Sequence, residues 1–363
     1  MPLTVGVEEE FLLLDPESWH SLPLVERVRA ALPAELRPAS RHEFRLSILE
    51  MVTPVCTDLG ELRGHLAANR RAAAEAARRT GVRLVAVGAT PVAEPDRSVA
   101  HSPRYRAIAR HYGPIARDPA LCGAHVHVGV PDRDLAVRVC TALRPWLPLL
   151  QAVTANSPFA GGEDTGHDSW RGIAGERWPG IGPTPPLDSF ADYERTVAEL
   201  VASGSMFEPE LVWWYARPSL LYPTVEVRVA DACPTSDDTV LLAALVRGLV
   251  ATLSAEVRAE KAAPAVPEHL LRAAHWNACH TGLAGTLTDP LRRTARLAGD
   301  MIAELFTAIA PALAAHGDLE LVQAGLLRLR DEGNGATRLR RAARSSGGLP
   351  GALHARAEET AAP

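Results

Sequence analysis

Three short segments of this chain carry chemically capable side chains two residues apart. They are Glu8 and Glu10, His125 and His127, and Glu226 and Arg228. Apolar residues alternate with them: Val5, Val7, Phe11 and Leu13 in the first segment, Val126, Val128 and Val130 in the second, Val225, Val227 and Val229 in the third. Side chains two apart on a strand project to the same side. Each segment therefore reads as a strand that packs one face into a core and offers a pair of metal-capable or charged groups on the other. Ordinary solvated faces favour Thr, Lys and Arg over Glu-Glu and His-His. A sheet face lined with carboxylates suits Mg²⁺, which takes oxygen ligands, keeps several waters and shares phosphate oxygens. No Gly-x-x-x-x-Gly-Lys-Ser/Thr loop occurs, so any bound phosphate must be neutralised by metal ions and arginines.

The stretch Arg41–Cys56 adds Glu43 and Glu50. Their spacing of seven puts them on one face of a helix or on opposite faces of a continuous strand, and periodicity leaves both open.

These groups need a scaffold. The patterning predicts strands at Leu3–Leu14, Val82–Val87, Ala124–Val130, Leu211–Ala216 and Thr224–Ala230, with Arg41–Val55 mixed. It predicts helices at Leu24–Leu32, Glu61–Arg79, Leu135–Asn156 (bent at Pro145 and Pro148) and Phe190–Gly204, and two or three across Thr239–Leu329. Pro158–Pro186 is rich in Gly, Pro and Trp without periodicity, as functional loops often are. Strands and helices do not alternate regularly. That argues for an α+β fold with a mainly antiparallel sheet flanked by helices, not a doubly wound parallel sheet. Residues 1–344 read as a single catalytic domain and 345–363 as a flexible C-terminal tail.

With 363 residues, 47% of them hydrophobic, the chain can bury a large core. A formal charge of −5 gives no general attraction to nucleic acid or anionic membrane. Five dispersed cysteines without a CxxC pair indicate neither a disulfide framework nor a zinc ribbon, and fit a reducing cytoplasm. The first residues lack the features of a signal peptide. The longest apolar stretch, Val240–Leu253, is short for a membrane span and contains Arg247, so it reads as a core helix.

Taken in order, four motifs resemble a known family. Gly6–Phe11 is similar to its opening Gly-x-Glu-x-Glu, and Glu43–Cys56 (EFRLSILEMVTPVC) to its Glu-x-x-Thr-Pro-Val segment. Cys122–Val130 (CGAHVHVGV) resembles its Gly-x-His-x-His-Val-Gly strand. Trp214–Asp231 (WYARPSLLYPTVEVRVAD) resembles its Arg-Pro followed by Thr-Val-Glu-x-Arg. The family is the bacterial carboxylate–amine ligases of the YbdK type, or type 2 glutamate–cysteine ligases. The resemblance runs from residue 5 to about residue 340. It implies a fold like the catalytic domain of glutamine synthetase, ATP with two or three Mg²⁺ ions, and a homodimer. It implies Glu8, Glu10, Glu43, Glu50 and Glu226 as metal ligands. His125 and His127 would lie by the metals or phosphates, Arg228 would meet the γ-phosphate, Arg217 would hold a substrate carboxylate or phosphate, and Arg171 would sit on a substrate-side loop. It implies glutamate as the carboxylate and cysteine or another amino acid as the amine.

One departure stands out. His280-Thr281-Gly282 occupies a place where the family pattern has Arg-Tyr-Gly, so either the acceptor differs or Gly282 simply ends a helix. Two other functions compete. A metal-dependent hydrolase could use His125-x-His127, although a cupin would need a Glu within the next few residues, where Val128–Arg133 has none. A nucleotide-binding, non-catalytic relative is the other. Cys122 beside His125 could be a nucleophile or an inert buried thiol.

Overall fold

A computed structural model describes residues 3–362. The strands are β1 (Val5–Leu14), β2 (Ser40–Arg41), β3 (Ile48–Val52), β4 (Arg83–Val85), β5 (Gly123–Gly129), β6 (Phe159–Ala160), β7 (Glu163–Asp164), β8 (Ala216–Pro218), β9 (Thr224–Asp231), β10 (Thr286–Asp289) and β11 (Thr294–Leu297). The helices are α1 (Val25–Ala31), α2 (Leu59–Arg79), α3 (Pro103–Tyr112), α4 (Arg133–Leu143), α5 (Leu147–Thr154), α6 (Trp170–Gly175), α7 (Phe190–Ala202), α8 (Ser236–Arg258), α9 (Glu268–Thr281), α10 (Ala298–His316), α11 (Leu319–Glu332), α12 (Gly335–Ser345) and α13 (Leu349–Ala361).

The main sheet is antiparallel in the order β2-β3-β1-β5-β9-β8, with β4 also paired to β1. Its valines face one way. Val5, Val7, Val126, Val128, Val225, Val227 and Val229 share a core with Leu62 and Leu66 of α2 and Leu241, Leu242 and Leu245 of α8. α8 is the hub. A capping box of Thr235 and Asp238 starts it, and it is buried on nearly every side. It and α10 have the length and apolarity of membrane-crossing helices, but α8 spends them on the core. Arg247 within it is bonded to Asp318 (2.6 and 3.1 Å) and to the Thr57 carbonyl (2.7 Å). These helices cover one face of the sheet; on the other, Leu12, Leu14 and Ile48 join a smaller core with α12 and α13, and the polar residues lie beside it.

Several elements differ from the sequence reading. The helix expected over Leu135–Asn156 is two helices, because Pro148 starts α5 instead of bending one rod. Leu211–Ala216 ends a 3₁₀ turn (Pro209–Leu211), and β8 begins only at Ala216. Four helices, α8 to α11, not two or three, fill Thr239–Leu329. The Gly-, Pro- and Trp-rich segment holds a tight hairpin, with Gly161 and Gly162 both at positive φ, and then α6.

The C-terminal segment, expected to be flexible, forms α13 against α12 and β4. Ala352 and Leu353 are fully buried. Thr360 Oγ1 accepts from the Ala86 N–H at 3.0 Å, and Arg356 bonds the Asn156 side chain. The positions Ala352, Leu353, Arg356, Ala357 and Thr360 are spaced as one helical stripe, which the small-residue composition obscured.

Candidate functional site

The register assembles the site. Across β3 and β1, Glu50 stands opposite Glu10, and across β1 and β5, Glu8 stands opposite His125. Across β5 and β9, His127 faces Glu226, and across β9 and β8, Glu226 faces Arg217. Arg228 follows two residues along β9. One polar row therefore crosses the sheet as Glu50, Glu10, Glu8, His125, His127, Glu226 and Arg217. It joins residues of five strands, β3, β1, β5, β9 and β8, that lie far apart in the sequence.

At the β5–β9 side, His125 Nδ1 lies 3.0 Å from Glu8 Oε2, and His127 Nε2 lies 3.2 Å from Glu8 Oε1. Burial opposes ionisation of Glu8. The two imidazoles outweigh it and hold the carboxyl far below the usual range. Burial also opposes ionisation of Glu226, but Arg228 and Arg217 hold its carboxyl well below normal. Burial, and then Arg228, pushes His125 down, which favours the neutral ring.

Glu43 and Glu50 behave oppositely. Burial and the Glu10 charge push Glu43 up to about 8. Burial and the charges of Glu43, Glu8 and Glu10 push Glu50 well above its ordinary value. Like charges set directly opposite one another on paired strands are destabilising, and here cations would relieve them.

Does this set fit divalent cations? Glu8, His127 and Glu226 each bring one donor atom within 4.8 Å of the others. The buried Nε2 of His127 lies 3.2 Å from Glu8 Oε1 but makes no well-directed hydrogen bond among the described residues. Its Nδ1 is fixed by Thr224 Oγ1 at 3.0 Å, the outer-shell contact that orients a metal-ligating imidazole. The donors fit a metal there.

The other expected residues divide. Glu43 lies on neither a helix nor a strand but in the irregular stretch between β2 and β3, lining a cavity with Glu10, His125, Arg171 and Arg228. Arg217 does not line that cavity. Its guanidinium contacts both oxygens of Glu226 (2.9 and 3.3 Å) and the Val212 carbonyl (2.7 Å). Arg171 reaches the cavity floor but donates to the carbonyls of Arg228 and Val229 at 3.2 and 3.3 Å.

Arg171 is held in place by a buried network. Asp231 accepts from Asn156 N (2.9 Å), Ser157 Oγ (2.6 Å) and Ser169 Oγ (2.8 Å). Ser157 Oγ in turn receives the Arg171 N–H. This network escaped the sequence reading, as did Glu9, which turns to the opposite face of β1 and pairs with Arg70. An Asp closing a polar-faced strand was the available signal.

Two lesser candidates resolve plainly. Cys122 is fully buried in a hydrophobic cluster, and burial pushes its thiol well above normal, so it is no nucleophile. His280 is exposed and stacks on Trp276 at 5.0 Å, outside the cavity lining, while Gly282 ends α9 at φ 57°.

The cavity holds about 280 Å³. Its far wall is aromatic, with Phe44, Tyr105, Trp178 and Trp213 arriving from four separate segments. Tyr105 lies on a helix absent from the sequence reading. Ser102 followed by Pro103, an N-cap and first-turn pair, was the signal for that helix.

Comparison with known proteins gives a consistent picture. The model of glutamate–cysteine ligase family 2 matches residues 4–357. A protein of Salinispora tropica, provisionally named glutamate–cysteine ligase 2, is 58% identical over 339 residues, covering 93% of this chain and 90% of its own. A similarly named protein of Mycolicibacterium vanbaalenii is 46% identical over 340 residues, covering 93% of each chain. Among solved structures, glutamate–cysteine ligase of Francisella tularensis in complex with AMP superposes with a TM-score of 0.71 at 14% identity, covering 100% of this chain and 90% of that one. A bifunctional glutathione synthetase of Pasteurella multocida gives the same score and identity, with 99% of this chain and 52% of that one covered. At such identity the likeness establishes the fold alone.

Proposed function

The chain belongs to family 2 of the glutamate–cysteine ligases, and on that premise we propose that the polar face of its sheet is the active site of an ATP- and Mg²⁺-dependent carboxylate–amine ligase. The observation that carries this reading is the uninterrupted row from Glu50 to Glu226, ending beside Arg228. A carboxylate is a poor acyl donor. Its oxygen attacks the γ-phosphorus of ATP, the bond to the β–γ bridging oxygen breaks, and ADP leaves an acyl phosphate. The amine nitrogen then attacks the acyl carbon, the C–O bond to phosphate breaks, and the amine proton passes to solvent or a nearby base.

Bound Mg²⁺ would neutralise the phosphate oxygens during transfer. Glu8, His127 and Glu226 would hold one ion, and Glu10, Glu50 and Glu43 another. Arg228 borders both Glu226 and the cavity, a position that supports a role against the transferring phosphoryl group. Neutral His125 would donate its Nδ1–H to Glu8 and so orient that carboxylate, with the Arg228 guanidinium 3.3 Å from the same nitrogen. Arg217 holds Glu226 in place, and Arg171 pins the main chain carrying Arg228.

The names of the relatives point to glutamate as the carboxylate and cysteine as the amine. Five buried free thiols support a reducing compartment such as the cytoplasm. The apolar pocket between α10 and α11, lined by half-buried Ile302, Phe306 and Leu326 and by exposed Leu327, supports a homodimer.

The test is to incubate the protein with Mg-ATP, hydroxylamine and a panel of carboxylates. ADP release that depends on the carboxylate, together with a hydroxamate product, is the expected result. No such dependence across a broad panel overturns the reading.

A further inference from the structure

The two sides of the cavity differ in kind. Glu10, Glu43, His125 and Arg228 stand on the sheet side. The opposite wall is built from rings. Phe44 meets Tyr105 edge-on at 5.7 Å and Trp178 at 6.0 Å, and Trp178 meets Trp213 at 5.4 Å. Ile108 and Ile181 fill between them.

No free charge is available on that wall. Arg45 is bonded to the carbonyls of Arg97 and Asp118, Arg104 is paired with Glu208, and Asp118 is paired with Arg177 at 2.6 Å. A glutamyl donor brings an ammonium and two carboxylates, each of which needs a charged or strongly polar partner. Such groups are found on the sheet side only. The apolar wall therefore suits the second substrate. Cysteine would present it with one methylene and a thiol, leaving most of the ring surface without partner atoms, and interiors lose dispersion contacts wherever such a gap remains.

We propose that this wall selects an acceptor amine bearing a bulky apolar group, aromatic by preference, such as an aromatic amino acid or an arylalkylamine. This rests on the ligase reading above and names the acceptor class for the same site. An added ring would complete the edge-to-face cluster, a geometry aromatic groups favour. The amine would reach toward Glu43 and Arg228, where the acyl phosphate forms, and attack it by the step already described.

The experiment fixes the donor carboxylate first, with hydroxylamine as an acceptor that has no side chain. It then measures kcat/KM for phenethylamine, phenylalanine, tryptophan and cysteine with that donor. The aromatic amines are expected to exceed cysteine by about tenfold or more, within the range one apolar pocket can discriminate. Trp178→Ala is expected to raise KM for the aromatic amines about 10- to 100-fold more than KM for cysteine, and Trp178→Phe to restore part of the difference. Cysteine turning over as well as the aromatic amines, or a Trp178→Ala effect equal for all acceptors, overturns the proposal while leaving the ligase standing. Absence of hydroxamate with every carboxylate overturns both.

Discussion

Magnesium binding to this protein should release protons, and the number can be worked from the site. Glu43 sits at about 8, pushed there by burial and by Glu10, and Glu50 is pushed up by burial and by its acidic neighbours. A carboxyl of that pKa is roughly nine-tenths protonated at pH 7. Carboxylates must be ionised to ligate a metal, so filling the site at pH 7 should expel about one proton from Glu43 and up to about one more from Glu50. Glu8 and Glu226, held ionised by His125, His127 and the arginines, contribute none. Titration calorimetry in two buffers of different ionisation enthalpy reads this number directly. Apparent affinity should weaken by up to about tenfold per pH unit below 8 for each proton released. Stability without metal should move the same way. Both groups bind protons more tightly folded than unfolded, and for Glu43 the native state holds the excess between about pH 4.5 and 8. Stability therefore falls as pH rises through that window, by at most about 1.4 kcal/mol per unit for each group. Saturating Mg²⁺ should reverse the fall. Glu43→Gln should remove about one proton from the count. Release of less than about 0.3 proton at pH 7, with a pH-independent affinity, would refute the assignment of Glu43 and Glu50 as crowded ligands.

Arg228→Lys should lower kcat by about 10²- to 10³-fold in steady-state assays, because a point charge replaces a planar fork at the phosphoryl group. Arg70→Met leaves Glu9 buried without its guanidinium, and urea denaturation should show a loss of about 3–5 kcal/mol. The double variant Glu9→Gln/Arg70→Met should recover part of that loss. In Gly123→Ala the new methyl would lie 2.5 Å from an Arg171 nitrogen and 3.2 Å from the Ala230 carbonyl. Arg171 would be driven off the carbonyls that it pins, with stability down by about 1–3 kcal/mol and a lower kcat/KM. Arg356→Met cuts α13 from Asn156, and so from the Asp231 network behind Arg171. The expected loss is about 1.5–3 kcal/mol by denaturation, with a rise in substrate KM that a purely peripheral helix would not cause.

The polar row was legible because a strand has a period of two: alternation with valine fixes which side chains share a face without knowledge of the partner strands. The order of those strands was not legible, so neither was the pairing of Arg217 with Glu226, which depends on cross-strand register. Glu43 and Glu50 stayed ambiguous for a physical reason. Their spacing of seven suits a helix, yet Glu50 lies on β3 while Glu43 reaches the site from an irregular stretch with no period at all. The aromatic wall was the least accessible feature. Phe44, Tyr105, Trp178 and Trp213 meet only through tertiary packing, and each alone reads as an ordinary core residue. α13 was missed because Ala and Gly content suggested fraying where the spacing of Leu353, Arg356 and Thr360 described a buried stripe.

The three consecutive glutamates of β1 show why the row is stable in its place. A slip of one residue in a strand turns every side chain to the other face, and Glu8-Glu9-Glu10 would otherwise tolerate one, since an acid would still face the site. Glu9 prevents it. On the core side it meets Arg70 of α2 at 2.5 and 3.0 Å and accepts from Thr239 of α8 at 2.6 Å. The same guanidinium donates to the carbonyls of Cys233 and Pro234 at 2.9 and 2.8 Å. Arg70 is fully buried and Glu9 is 2% exposed. A strand slipped by one residue would still set Glu8 or Glu10 against Arg70, but it would also bury Glu8 in the core place of Val7 or Glu10 in that of Phe11 with no cation to meet it, a loss of several kcal/mol. The single cation behind the sheet, flanked by the apolar places of Val7 and Phe11, thereby selects the register that puts Glu8 beside His125 and Glu10 beside Glu50, the arrangement on which metal binding at the front depends.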